Sequence, residues 1–389
     1  MKKVFIIVSS VFLLAGALLV AADMDYLLRG VRTTYLRGQT GVGIYDFTVQ
    51  ATRTVSARPG DQWLLHPQYN KIPLSGTILD MHEQLKTTAF IIAKDGKILS
   101  ESYFNEGSPD RVSGVWSVSK TYTALMILKA VEDGLIKSID DPVSLYLPEW
   151  NINQENTLTI RHLCSMSTGL FWDEMDQTPL SLIAKLNFYD NLEKFTINDL
   201  YAVGEPGEKQ HYDSGGMQLL GTLLNRVLGD KSISQYMAEK FWQPLGAQND
   251  ALYILDSSKH RNEKTYGGLV ATARDISRLG MVIANDGYWD GTPILNSAQM
   301  KILKTIPYNN KTYAFGIWTG LYMGERFYYQ SGHSGQFCIS FPAHKLVITR
   351  FGHKKIEKPH LEAVSPDVPI YIEEALRIVN ETEKLHNLN

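Results

Sequence analysis

Cysteine is nearly absent: 389 residues hold two, Cys164 and Cys338. That excludes a disulfide framework and leaves one bridge at most, with buried free thiols the expectation. A basic surplus is also missing. The formal net charge is −3, and the short run His353-Lys354-Lys355 reads as a solvated loop, so the footprint of a nucleic-acid-binding protein is excluded. There is no His-Glu-x-x-His, no Cys-x-x-Cys and no phosphate-binding loop, and the ten histidines are dispersed. Gly41-Val42-Gly43 lacks the rest of a dinucleotide fingerprint. The sequence therefore implies no metal and no cofactor.

Long apolar runs are scarce as well, and the one present is informative. Lys2 and Lys3 precede an unbroken apolar-and-small stretch from Val4 to Ala22, which Asp23 ends. The stretch reads either as a signal peptide, with Val20-Ala21-Ala22 as an acceptable cleavage site, or as an N-terminal membrane anchor (residues 1–22). Both readings carry the rest of the chain across a membrane, to a periplasmic or other extracytoplasmic location, with the lysines left behind.

Residues 23–78 form an irregular extension expected to wrap the domain of residues 79–389. In that domain TTAFIIAKDGKILSESYF sets two strand-like runs around Asp95-Gly96, a strong hairpin signal. RFYYQSGHSGQFCISFPAHKLVITRFG adds three runs near the other end. The simplest account is an α/β (α+β) fold: one five-stranded antiparallel sheet flanked by helices, with a mostly helical lobe inserted at about residues 135–285. An amphipathic helix is expected from Ser117 to Val131. Others fall over 160–166, 216–228, 233–242, 273–284 with Thr272 as N-cap, and 368–380, the last packing on the sheet.

The stretch VWSVSKTYTALMILKAVEDG sets Ser117 one turn ahead of Lys120, so both side chains share a helix face. A serine hydroxyl needs a base to become a nucleophile, and a lysine serves as one only when burial strips its proton. The helix start supplies a free backbone N–H for a developing oxyanion. Alone, Ser-x-x-Lys is a common tetrapeptide, and a serine there is usually a cap.

Two further segments change the weight of that motif. Tyr212-Asp213-Ser214 lies between a Pro-Gly turn and a helix, and His333-Ser334-Gly335 lies at a strand start. With SVSK, YDS and HSG in this order, the chain resembles the serine β-lactamase and penicillin-binding-protein superfamily. Its flanks DGLIKSIDDPVSLYLPEW, TIRHLCSMSTGL and GGLVATARDISRLGMVIANDG resemble class C β-lactamase-related hydrolases and esterases, most of all the 6-aminohexanoate-dimer hydrolase type. The resemblance covers roughly Leu79 to His353. It implies Ser117 as the acylated nucleophile, Lys120 as its base and Tyr212 as a proton shuttle titrating with Lys120. It further implies the N–H groups of Ser117 and Gln336 as oxyanion donors, and Ser214, His333 and Gly335 as substrate-binding residues. Ser214 stands where β-lactamases usually carry asparagine, which weakens the expected grip on a β-lactam amide. Asp213 is expected to be merely solvated.

Two classes of function follow. The first is a serine hydrolase acting through an acyl-enzyme on a small-molecule or peptide-like ester or amide. Within it a carboxylesterase or small-amide hydrolase stands first and a β-lactamase or D-Ala-D-Ala peptidase second. The other is a non-catalytic, membrane-tethered binding protein of the same fold, which would have no need of all three motifs. The oligomeric state is left open.

Overall fold

The computed structural model describes residues 10, 13–14, 16–39, 41–58, 60, 62–150, 158–176, 178–358, 360 and 363–387. Much of the anticipated leader lies outside that set. Among the described residues no helix is long and apolar enough to cross a membrane.

Twelve strands follow in chain order: β1 (Thr52–Val55), β2 (Thr87–Lys94), β3 (Lys97–Tyr103), β4 (Ser113–Gly114), β5 (Ala251–Ile254), β6 (Leu269–Ala271), β7 (Tyr288–Trp289), β8 (Thr292–Pro293), β9 (Trp318–Tyr322), β10 (Glu325–Gly332), β11 (Gln336–Phe341) and β12 (Leu346–Gly352). The main sheet runs β3-β2-β12-β11-β10-β9, antiparallel throughout. The β2–β3 hairpin forms as expected, with Asp95 and Gly96 both at positive φ (49° and 78°), the backbone a tight hairpin turn demands.

The sheet has six strands where five were expected. The extra one, β9, enters through a hairpin whose turn is Met323-Gly324, at φ 49° and 86°. A methionine there hides the turn, and Gly320 inside WTGLY weakens the strand signal. A second sheet, β1-β5-β6-β4, draws β1 from the extension, which also holds a helix, Tyr26–Thr33. The extension is therefore more regular than its composition suggests.

Both faces of the main sheet are covered. Cys338, Ser340 and Thr349 point to the helix Ala273–Ala284, where Ser340 Oγ donates to the Gly280 carbonyl at 2.8 Å and Ser277 Oγ to Thr349 Oγ1 at 2.7 Å. Thr272 caps that helix through the Asp275 N–H, as anticipated. On the opposite face Phe90 and Phe337 meet Tyr371 of the C-terminal helix Asp367–Asn387. Cys164 and Cys338 are both buried and free.

The helix beginning after Ser117 spans Val118–Glu132 and is buried on nearly every side, not amphipathic. Its polar residues are satisfied internally: Thr121 Oγ1 donates to the Gly316 carbonyl at 2.7 Å and Thr123 Oγ1 to the Thr265 carbonyl at 3.0 Å. It packs between the sheet and the helix Ser214–Leu228, so the first and second motifs meet at the head of one buried rod.

Candidate active site

Ser117 occupies the N-cap position but makes no side-chain cap. Its Oγ instead accepts a hydrogen bond from Lys120 Nζ at 2.8 Å, the two side chains stacked one turn apart. Lys120 Nζ also donates to the Tyr266 carbonyl at 2.8 Å. Lys120 is 1% exposed. Burial pushes its pKa down to about 8, while Glu174 and Asp213 pull the other way. A neutral amine in this position can keep its bond to the Tyr266 carbonyl and take the Ser117 proton on its lone pair. Trp116, just before Ser117, sits at φ 53°, a strained backbone for a bulky residue. Among the described residues the Ser117 N–H has no acceptor; the helical ladder begins with Val118 N–H to the Val115 carbonyl at 3.2 Å.

Tyr212 is buried, with its phenol in hydrogen-bonding reach of Ser117 and its ring 5.1 Å from Lys120 Nζ. The ring stacks on Trp318 at 5.2 Å and meets Tyr313 edge-on at 5.9 Å. Burial, reinforced by Glu174, raises its pKa far above an ordinary phenol. The two partners therefore move apart: Lys120 is the group that sheds its proton near pH 8, and Tyr212 stays a neutral phenol able to accept and pass on a proton in one step.

The third motif closes the other wall. Gly332, the last residue of β10, packs against the Val115 carbonyl, which a Cβ there would meet at 2.2 Å. This contact brings the His333–Gly335 turn and Gln336, the first residue of β11, beside the backbone leading into Ser117. Gly335 has φ 81°, and a side chain on it would strike Arg350 Nη1. The room it leaves is thus filled by Arg350, which also donates to the Gly335 and Lys354 carbonyls at 3.0 and 2.7 Å. The His333 imidazole keeps one side open to solvent and meets Trp116 edge-on at 5.6 Å. Close packing of its other side, helped by Lys355, lowers its pKa.

Asp213 is fully buried, which corrects the solvated reading. It is the N-cap of the helix Ser214–Leu228, its carboxylate accepting from the Gly216 N–H at 2.8 Å and from Thr168 Oγ1 at 3.0 Å. Burial raises its pKa to about 6 against those two bonds. A helix start offers free N–H groups and the positive end of the dipole, which makes this burial affordable for an acid.

Ser214 is buried and turned to a residue the sequence had not singled out. Its Oγ donates to Glu174 Oε1 at 2.7 Å, and its backbone N–H reaches Glu174 Oε2 at 3.2 Å. Trp172 Nε1 donates to the same Oε2 at 2.6 Å. Glu174 thus fixes a negative charge at the edge of the site, felt by Lys120, Tyr212, Asp213 and His333. Its loop has no periodicity to announce it. The one usable signal was an acid beside two aromatics in FWDE, on a loop following the short helix Ile160–Cys164. Among the described residues no group of three or more His, Cys, Asp or Glu is placed to hold a metal ion.

Comparisons with known proteins agree with this architecture. A Bacillus anthracis protein provisionally named a 6-aminohexanoate-dimer hydrolase superposes over 87% of this chain and 92% of its own, with a TM-score of 0.69 at 19% identity. A family VIII carboxylesterase covers 82% and 99%, with a TM-score of 0.60 at 19% identity. At that identity the likeness is one of fold. By sequence, the 6-aminohexanoate-dimer hydrolase of Paenarthrobacter ureafaciens is 24% identical over 57% of this chain and 59% of its own. Beta-lactamase-like protein 2 of Dictyostelium discoideum is 29% identical over 43% and 33%. The chain spans a third to three fifths of the length of these curated relatives. The family model described as Beta-lactamase matches residues 75–363, well over half of the sequence, and the chain belongs to that family of β-lactamase-fold hydrolases.

Proposed function

We propose that the protein is a serine hydrolase that cleaves an ester or a small amide through an acyl-enzyme. The observation that carries this is the 2.8 Å bond between Ser117 Oγ and a lysine whose burial holds its pKa down to about 8. Lys120 takes the Ser117 proton as Oγ attacks the carbonyl carbon. The oxyanion is held by the N–H groups of Ser117 and Gln336, each such donor worth about 3 kcal/mol of barrier. Tyr212, touching Ser117 and lying beside Lys120, relays the proton to the leaving alcohol or amine. Water then enters, loses a proton to the same pair and releases the acid, which restores Ser117.

The second motif ranks the substrates. The Ser214 hydroxyl proton is directed to Glu174, so this wall presents a fixed carboxylate where an asparagine would offer an amide. That supports an ester or linear amide over β-lactams and D-Ala-terminated peptides, whose side-chain amide would lose the asparagine that usually grips it. A non-catalytic scaffold would have no use for a buried amine aimed at a serine. The test is covalent labelling of the full chain with a fluorophosphonate, read by intact mass. The wild type gains one adduct and Ser117→Ala gains none; equal labelling of the variant removes Ser117 from the mechanism. A panel of short p-nitrophenyl esters, nitrocefin, a linear amide and a D-Ala-D-Ala peptide then sorts the substrates.

A further inference from the structure

The described end of the apolar run, residues 16–22, reaches the folded domain without a linker. The Asp23 N–H donates to the Val20 carbonyl at 3.1 Å and the Met24 N–H to the Leu19 carbonyl at 2.8 Å. The Asp23 carboxylate accepts from the Tyr189 hydroxyl at 2.6 and 2.8 Å and from Lys194 at 2.9 Å, with Lys185 at 3.5 Å. The end of the run is thus tied to the helices Leu182–Phe188 and Leu192–Asn198 and the turn between them.

The helix that follows, Tyr26–Thr33, has two unlike sides. One buries Tyr26 and Gly30, with Gly30 against the Phe188 ring. The other leaves Leu28 and Val31 exposed, and the short turn Tyr35–Arg37 that follows adds Tyr35 and Leu36, Leu36 at 77%; Arg32 is exposed among them, and Arg37 is paired with Asp46 at 3.2 Å. Leu28 and Val31 share one helix face, three residues apart, and the backbone leaves the helix at Thr34 before Tyr35 and Leu36. Leu180, just ahead of the Leu182–Phe188 helix, is exposed as well. An apolar strip with an exposed arginine among its residues is the composition of a segment lying in the headgroup region of a bilayer, the Arg32 guanidinium favouring anionic lipid. What covers this strip is indicated by its position: it begins a few residues after a run of bilayer-spanning length and is held there by the Asp23 contacts.

We propose that the strip Leu28, Val31, Tyr35 and Leu36 docks into the surface of a lipid bilayer, holding the catalytic domain against the membrane. Leu180, just ahead of the helix Leu182–Phe188, then lies close to the lipid. The docking stands independently of the hydrolase reading, because it is read without any substrate.

The test uses the full chain reconstituted into phosphatidylcholine vesicles with and without phosphatidylglycerol. Cys164 and Cys338 are buried, so an added surface cysteine is the reactive thiol. Leu36→Cys and Val31→Cys carry an environment-sensitive fluorophore, with Met323→Cys, 88% exposed in the β9–β10 turn, as the reference. Labels in the strip are expected to shift to the blue and to be quenched at least about twofold by doxyl lipids, more strongly with anionic lipid, and the Met323 label to change little. A Leu36 label as wet and as unquenched as the Met323 label overturns the proposal. So does a blue shift that grows with protein concentration in detergent without vesicles, since a second copy of the chain would then cover the strip.

Discussion

Two buried lysines flank Tyr266 and have met different fates. Lys120 and Lys264 are both pushed down to about 8 by burial. Lys120 reaches Ser117 Oγ and the Tyr266 carbonyl. Lys264 reaches Gln50 Oε1 at 2.8 Å and the Asn187 carbonyl at 2.7 Å, neither of which has a proton to lose. The cavity beside Lys264, bounded by Trp116 and Phe47, measures about 20 Å³, room for a water and not for a substrate. A perturbed pKa is therefore shared by a candidate base and a structural cation. What separates them is the partner: a hydroxyl within 3 Å in a cleft, or an amide oxygen in the wall behind it.

The sharpest way to break this comparison is to remove each amine in turn. Lys120→Met is expected to lower kcat/KM on an activated ester by about 10²- to 10⁴-fold, the range of a positioned base, with the fold intact by circular dichroism. Lys264→Met is expected to leave kcat/KM within a few-fold of wild type. It should cost about 1–3 kcal/mol in denaturant unfolding, because the Gln50 and Asn187 oxygens lose their donor. Equal losses of activity in both variants would erase the distinction.

The pH axis sharpens it further. With Lys120 as base, the rate rises as pH passes about 8, and this limb persists in Lys264→Met. Stability behaves differently. Both lysines are lowered in the folded state, so their contribution is present above the unfolded value and lost as pH falls through about 8. Unfolding free energy should climb between about pH 8 and 10 in the wild type, and each Lys→Met variant should flatten that climb. An unchanged slope in both variants would mean that neither amine is neutralised by the fold.

How much of this was legible beforehand depends on how local each signal is. The Asp95-Gly96 hairpin, the Thr272 cap and the three motifs rest on neighbours in sequence, and the structure has them close to where they were read. That the motifs converge around one serine also follows the expected order of strands and helices. Strand β9 was missed because its turn is spelled Met-Gly, and the helix at Tyr26 because Gly30 interrupts it to admit Phe188. Glu174 and Lys264 were invisible for another reason. Each owes its role to contacts tens to hundreds of residues away, Glu174 with Ser214 and Lys264 with Gln50, and no periodicity announces such a pairing. Asp213 departs from the surface preference of acidic residues because the start of the helix Ser214–Leu228 supplies its donors.

The two acids of the site extend the same comparison to smaller effects. Glu174 raises the Lys120 pKa through its charge, so Glu174→Gln should move the rising limb of the pH–rate profile to lower pH. Loss of activity with no displacement of the limb would make Glu174 a prop for Ser214 and nothing more.

Asp213→Asn should have the smallest effect at neutral pH, within about 0.5 kcal/mol, since asparagine caps a helix about as well as aspartate. Its signature lies lower on the scale. The folded-state pKa of Asp213 is raised to about 6 from 3.8, so its contribution is present below about pH 4 and lost as pH rises through about 6. Other carboxylates, such as Glu101 held down by Arg274, slope the opposite way near their own titration, so the informative quantity is the difference between wild type and variant. That difference should change between about pH 4 and 6 and stay constant above. A difference constant across the whole range would mean that the buried cap is ionised throughout, with the Gly216 and Thr168 donors and the helix dipole outweighing its burial.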